Sequence, residues 1–299
     1  MFRSFAEVEE HVIEENVRRR LVLCGAEDDL SLGAVVDAKR KGIVSGILIG
    51  NGPKIRDLLA EMREPPEDYE IINEPREIRA ATIAAQYVRD RRADLEMKGS
   101  VHTAIFLIPI KSPASGLFPE GSILNGATIF YYSDRNRLVF FADAAVNIAP
   151  TMEEKVKIVK NVAKLTRAFG YDKVKVAAVS ALEEVNPDMP SSVDAGQLAK
   201  MDWGEDIILE GPFALDNALD ADAARHKGLT SEVAGNADVL LMPEICAGNV
   251  LHKSIHYLAH LPSASVLCGA TIPVVLTSRT DSPETKYNSI LSAVLQCSG

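Results

Sequence analysis

Short apolar runs rich in Val, Ile and Leu alternate along the chain with stretches whose apolar residues recur at helical spacing. That alternation is the pattern of an α/β fold. Residues 20–24 read as a first strand and 31–40 as a helix. Residues 44–49 read as a second strand, followed by Gly50-Asn51-Gly52-Pro53 and a helix to about residue 62. Residues 77–92 form a strongly amphipathic segment, with Ile78, Ala81, Ala85 and Val88 on one predicted face. "MKGSVHT", residues 97–103, is a glycine turn leading into another helix. The texture then changes. Residues 127–132 and 138–141 flank Ser133-Asp134-Arg135-Asn136 and predict an antiparallel hairpin, which suggests that a second domain begins near here. A long helix (152–169), a strand (173–179), a helix (193–201) and strands at 206–209 and 239–242 follow. An apolar run at 272–276 empties into "TSRTD", and Ser282-Pro283-Glu284 opens a closing helix as N-cap, N1 and first-turn acid.

The chain has 299 residues, enough for one large or two medium domains. Its net charge of -10 argues against nucleic acid or an anionic membrane as partner, because both need an extended basic surface. A small anionic substrate stays open, provided that positive groups gather locally. Cys24, Cys246, Cys268 and Cys297 lie far apart with no metal-type spacing, and read as buried or incidental thiols. The first residues carry charges at helical spacing without a signal-peptide core, and no apolar run reaches the roughly 20 residues of a membrane span. A cytoplasmic protein is expected.

The usual nucleotide motifs are missing. "GNGP" would need its third glycine at Ile55, so the dinucleotide fingerprint fails and a plain strand-to-helix turn is expected. There is no Walker-type loop, H-E-x-x-H or G-x-S-x-G. His252 and His256 are spaced i, i+4 on an expected helix; without a third ligand nearby they read as a solvated face. Four polar strand exits remain. Asp143 and Asn147 leave the strand in "FADAAVNIAP", either as helix caps or as ligand groups. "GPFALDNAL" sets Asp216 and Asn217 after a Gly-Pro turn. In "ADVLLMPEICAGNVLHKS" the helix is expected to start at Ala247-Gly248-Asn249, with Lys253 one turn on. In "VVLTSRTDSPETK" the helix start does not require Thr277, Ser278 or Arg279, and an arginine fork at a helix N-terminus suits phosphate. Together the four exits favour a cleft that binds a small anion.

"FADAAVNIAP", "GPFALDNAL", "VAGNADVLLMPEICAGNVLHKS" and "IPVVLTSRTDSPETK", joined by "MKGSVHT" and "EVNPDMPSSVDAGQLAKM", resemble the phosphate acetyltransferase and butyryltransferase family, in particular its butyryltransferase branch. The resemblance covers nearly the whole chain. It implies reversible transfer of a short, butyryl-like acyl group between coenzyme A and inorganic phosphate, directly in a ternary complex. It implies two α/β domains of the isocitrate/isopropylmalate dehydrogenase-like type with the active site in the cleft between them. Residues 1–125 plus 280–299 would form the first domain and 126–279 the second. Homodimers or larger homo-oligomers, coenzyme A as substrate, and no metal or NAD are also implied.

By the same resemblance Arg279 binds phosphate and Ser278 donates to the phosphate or to the tetrahedral intermediate. Gly248, Asn249, Asp143 and Asn147 line the cleft. Two departures from the acetyl-type pattern stand out. Thr285 occupies the position of an Asp assigned as the base, which leaves Asp281, Glu284 or no residue at all in that role. The helix after "VHT" is apolar, "AIFLIP", where acetyl-type members carry an arginine, so Lys98 is the nearest cation and His102 a further donor. A thiol with a pKa near 8.5 is already a few per cent thiolate at neutral pH, so a separate base is not obligatory. The departures also leave open a non-catalytic coenzyme A or acyl-phosphate sensor. A dehydrogenase of similar fold is disfavoured by the incomplete fingerprint.

Overall fold

The computed structural model describes residues 1–297. Helix α1 (Phe5–Glu15) is followed by β1 (Arg19–Cys24), α2 (Asp29–Arg40), β2 (Val44–Gly50), α3 (Gly52–Glu61), β3 (Glu70–Asn73), α4 (Glu77–Arg89), β4 (Leu95–Lys98) and α5 (Thr103–Lys111). The middle of the chain forms β5 (Asn125–Tyr132), β6 (Arg137–Ala142), α6 (Met152–Ala168), β7 (Val174–Val179), α7 (Pro190–Leu198), β8 (Ile207–Phe213), α8 (Leu215–Leu219), α9 (Ala221–His226), β9 (Val239–Leu241) and α10 (Ile245–Tyr257). The chain ends in β10 (Ser263–Cys268), β11 (Val274–Val275) and α11 (Pro283–Gln296). The fold is mixed α/β.

Two compact units emerge: Phe5–Ser122 with Pro262–Gly299, and Met1–Ser4 with Ile123–Leu261. The return to the first unit at Pro262, rather than at residue 280, follows from strand pairing. β10 runs antiparallel to β11 with Val266 opposite Val275. β11 in turn lies parallel to β4, with Val274 opposite Glu96.

Within the N- and C-terminal unit the strands follow the order β3-β2-β1-β4-β11-β10. The neighbours β2–β3, β1–β2, β1–β4 and β4–β11 are all parallel, so their carboxyl ends share one edge. One glycine contact compacts this edge. A Cβ on Gly99 would come within 2.1 Å of the Gly25 carbonyl oxygen, so only glycine lets the ends of β1 and β4 approach so closely. α11 packs on β10, α2 and α1, and nearly its whole length is buried. α4 presents Ala80, Ala81, Ala84, Ala85, Tyr87 and Val88 to the core, while Ile78, expected on that face, is exposed because the buried arc is rotated away from the first turn.

The middle unit holds strands in the order β5-β6-β9-β7-β8. The expected hairpin is present as β5 and β6, antiparallel through Phe130 opposite Val139. A core of Phe130, Phe141, Phe213, Leu240 and Met242 fills one side of this sheet, and Phe140 meets Phe169 edge-on at 5.1 Å on the other packing layer. β8 does not end at a Gly-Pro turn as the sequence suggests. It continues through Gly211 and Pro212 to Phe213, a course open to proline because β8 is an edge strand whose outer N–H positions need no ladder partner. α7 starts three residues before its expected position, on Pro190, with Met189 at the N-cap. Among the described residues no helix is long and apolar enough to cross a membrane.

Candidate active site

In the N- and C-terminal unit, β4 delivers Lys98 and β11 delivers Thr277 and Ser278 to the shared carboxyl edge. Lys98 is almost wholly buried, its ammonium donating to the carbonyl oxygens of Gly99 (3.1 Å) and Val101 (3.5 Å). Burial, reinforced by the nearby positive charges of Lys286 and Arg279, pulls its pKa down to about 8, against the opposing pull of Asp28 and Asp281. Arg279 is exposed and Ser278 half-buried. The Ser278 hydroxyl lies 3.2 Å from that of Thr280.

Asp281 and Glu284, the two carboxylates expected near the reacting thiol, have separate fates. Asp281 is buried and its Oδ2 accepts the Ser278 N–H at 2.7 Å, so it brackets the loop. Glu284 sits exposed in the first turn of α11, where a carboxylate favours the helix dipole. Thr285 is buried among hydroxyls: its Oγ1 is 3.3 Å from that of Ser263 and accepts from Ser282 at 3.1 Å. Ser282 caps α11 by accepting the Thr285 N–H at 3.1 Å.

Lys286 was not singled out in the sequence. It is among the largest fully buried side chains and donates to the Ser278 carbonyl oxygen (2.8 Å) and to Thr277 Oγ1 (3.3 Å). Its pKa is lowered by burial, while Asp28, Asp281 and Asp29 oppose the shift. The only sequence hint is its position, a lysine near the N-terminus of a helix whose dipole disfavours it. His102 takes the N-cap position of α5 with its side chain exposed and no capping bond from it; its backbone N–H donates to Glu77 at 3.2 Å.

In the middle unit, Asp143, Asn147, Gly248 and Asn249 do come together, through structural bonds. Asp143 is buried; Oδ1 accepts the N–H groups of Gly126, Ala145 and Val146, and Oδ2 accepts the backbone and side-chain N–H of Asn147. Of the helix-capping and ligand roles the sequence leaves open for Asp143, the first is not met: the next helix, α6, is capped by Thr151, and Asp143 braces the loop instead. Asn147 also donates to the Leu124 carbonyl at 2.8 Å. α10 begins at Ile245, two residues earlier than expected, because Glu244 is the N-cap and accepts the N–H groups of Cys246 and Ala247 at 2.7 Å. Gly248 therefore lies inside the first turn, where a Cβ would meet the Asp143 carbonyl oxygen at 2.1 Å; the glycine serves backbone approach. Asn249 donates to the Ala144 carbonyl at 3.3 Å.

Lys253 lies further along α10, its ammonium 5.8 Å from the centre of the Tyr257 ring. His252 departs from the expected solvated face: it is buried, with Nδ1 3.2 Å from Thr128 Oγ1, and its ring centre is 4.4 Å from that of His256. Asp216 is exposed and Asn217 buried, donating to Glu183. "GNGP" forms the plain turn expected of it, with Asn51 accepting the Lys54 N–H at 3.2 Å as cap of α3. The described cysteines are free, and Cys246 alone among them is exposed.

Buried ammonium groups and a Ser-Arg loop thus share one carboxyl strand edge of a mixed α/β chain. Residues 67–294 match the phosphate acetyl/butaryl transferase family, and the chain belongs to it. It is 41% identical to a phosphate butyryltransferase of Clostridium acetobutylicum, over 99% of this chain and 98% of that protein. It is 38% identical to a phosphate acetyltransferase of Rhizobium meliloti, over 90% of this chain and 85% of that one. The crystal structure of a branched-chain phosphotransacylase from Enterococcus faecalis V583 is similar with a TM-score of 0.83 at 27% identity, covering 93% of this chain and 99% of that chain.

Proposed function

We propose that the protein moves a short, butyryl-like acyl group between coenzyme A and inorganic phosphate. A phosphate oxygen attacks the thioester carbonyl, and the coenzyme A thiolate leaves as the C–S bond breaks; the reverse reaction runs thiolate onto acyl phosphate. The observation that carries this reading is the shared carboxyl edge of β4 and β11, paired with Val275 opposite Met97, at which β4 ends in Lys98 and the segment after β11 brings Thr277, Ser278 and Arg279. Arg279 then receives phosphate through its planar donors, with Lys98 as a second positive charge. Ser278 donates to the phosphate or to the oxyanion of the tetrahedral intermediate. Thr277, His102, Gly248, Asn249 and Lys253 complete the lining, and Asp143 and Asn147 hold the loop that carries it.

With Asp281 engaged by the Ser278 N–H and Glu284 exposed, neither is placed as an obvious base. A thiolate leaving group stabilised by a positive field needs none. In this reading the two units flank a cleft of the isocitrate/isopropylmalate dehydrogenase-like type, the protein works in the cytoplasm as a homodimer or larger homo-oligomer, and neither metal nor NAD takes part. The test is an assay of acetyl-, propionyl-, butyryl- and isobutyryl-CoA with phosphate, followed by free thiol. Phosphate-dependent thiol release, largest with a four-carbon chain, supports the reading. No release with any of them would leave only a binding role.

A further inference from the structure

The two peptide groups that flank the Ser278 Cα are each pinned by a buried charged side chain. On the amino side, the Ser278 N–H is held by Asp281 Oδ2 at 2.7 Å. On the carboxyl side, the Ser278 carbonyl oxygen accepts from the Lys286 ammonium at 2.8 Å and from the Asp281 N–H at 3.2 Å. The same ammonium reaches Thr277 Oγ1 at 3.3 Å, so it also holds the preceding side chain. Fixing both peptide planes fixes φ and ψ of Ser278, and with them the direction of its Cα–Cβ bond and the departure of Arg279. Asp281 and Lys286 are 2% and 1% exposed, so neither clamp is loosened by water. α11 supplies the ammonium, and its packing on α2, β10 and α1 keeps that helix from shifting.

We propose that Lys286 is a positioning residue for acyl transfer, which holds the Ser278–Arg279 segment in its reactive orientation through the Ser278 carbonyl and Thr277 hydroxyl. This inference rests on the functional reading above. It gives a role to the lysine that follows Thr285 in sequence, one residue beyond the position that the resemblance gives to the acetyl-type carboxylate. A misplacement of about 1 Å at a reacting group costs on the order of 100-fold in rate, so a clamp of this kind acts on turnover more than on binding. Lys286 has a second reach. It is the leading charged group that depresses Lys98, ahead of Arg279, while Asp28 and Asp281 act in the opposite sense. Lys286 itself faces Asp28, Asp281 and Asp29.

The experiment compares wild type, Lys286→Met and Lys286→Gln in the butyryl-CoA and phosphate assay across pH, with folded fraction measured for each. Met keeps the side-chain length and loses every donor; Gln keeps one donor and loses the charge. For Lys286→Met the expected result is a fall in kcat of about 10- to 100-fold, with the KM for butyryl-CoA within about twofold. Lys286→Gln is expected to recover part of that loss. In both variants the alkaline limb of kcat/KM for phosphate moves to higher pH, because a positive neighbour of Lys98 is gone. That displacement reports the lost charge, while a fall in kcat at full folded fraction with an unchanged KM for butyryl-CoA is what a purely structural lysine would not produce.

A folded Lys286→Met protein with wild-type kcat overturns the inference. So does a loss that merely tracks the unfolded fraction with the limb unmoved. If the Met variant does not fold, Lys286→Gln carries the test, and a Gln variant with wild-type kcat and an unmoved limb overturns it equally. Absence of thiol release from the wild type overturns the functional reading, and the positioning inference with it. An active wild type beside an insensitive variant overturns the inference alone.

Discussion

Ser278 and Arg279 are neighbours in sequence but stand in opposite environments, the serine half-buried and pinned at both peptides, the arginine exposed. An exposed guanidinium gains most when a doubly charged ligand takes its fork of donors. Arg279→Ala is therefore expected to raise the KM for phosphate by about 10- to 100-fold, the worth of one or two charge-assisted bonds. Steady-state kinetics at varied phosphate decide this, and an unchanged KM would remove Arg279 from that role. Ser278→Ala is expected to lower kcat by a similar factor while coenzyme A binding, read by calorimetry, stays within about twofold. Lys98 adds a pH dependence. Its ammonium is the form that attracts phosphate, and with its pKa drawn down to about 8 by burial and by Lys286, phosphate affinity should decline as pH rises through that value. A phosphate KM that stays flat from pH 7 to 9 would contradict this. Ser278, Arg279 and Lys98 were all legible from sequence because each lies in a contiguous motif at a strand exit. Lys286 was not, since a lysine in a terminal helix reads as solvated unless the burial of α11 by α2 and α1 is known.

At the scale of elements, α10 shows where the pattern of residues misleads. Gly248 invites reading as the start of a helix or a point of ligand approach, and the helix actually begins at Ile245 under a Glu244 cap. The glycine is required because the Asp143 carbonyl crosses the first turn within 2.1 Å of where a Cβ would stand. Gly248→Ala must therefore displace backbone rather than a flexible side chain, at a cost of about 1–3 kcal/mol, the range of overpacked cores. A lowered Tm is the expected outcome, and a variant as stable as wild type would mean that the loop gives way freely. The hairpin, α6 and the closing helix were legible, because strong periodicity or cap chemistry marks each of them. β10 was not. Its "SASVLC" sequence mixes small polar residues into a fully buried strand, and it fits there because the Ser265 N–H donates to Ser289 Oγ and Ser263 pairs with Thr285 across to α11. The two-residue β11 was expected to be longer, and its strand character comes from pairing with both β4 and β10 rather than from its own length.

At the scale of the molecule, Glu96 links the sheet to the pH dependence of stability. It sits in β4, opposite Val22 on one side and Val274 on the other, completely buried. Among the described residues neither carboxylate oxygen has a hydrogen-bond partner. Burial alone pushes its pKa up to about 8, against roughly 4.3 in an unfolded chain. Between those values the folded protein holds a proton that the unfolded chain releases, so stability falls as pH rises through that window, with a limiting slope of about 1.4 kcal/mol per pH unit. Lys98 acts in the next window with the opposite sign. From about 8 up to its ordinary value the unfolded chain keeps a proton that the folded protein has lost, and stability recovers. Taken together, the two groups place a stability minimum near pH 8, where the proposed phosphate binding through Lys98 would also begin to decline. A bound phosphate dianion would offset part of that minimum by favouring the charged lysine. Glu96→Gln keeps the shape of the side chain and cannot ionise. Urea midpoints for the variant should stay nearly level from pH 5.5 to 8 while those of the wild type fall, and the two curves should converge only below about pH 4.3, where Glu96 is protonated in the unfolded chain as well. A Gln variant that keeps the wild-type slope would show that other groups govern this range, and that the buried carboxylate of β4 is silent in it.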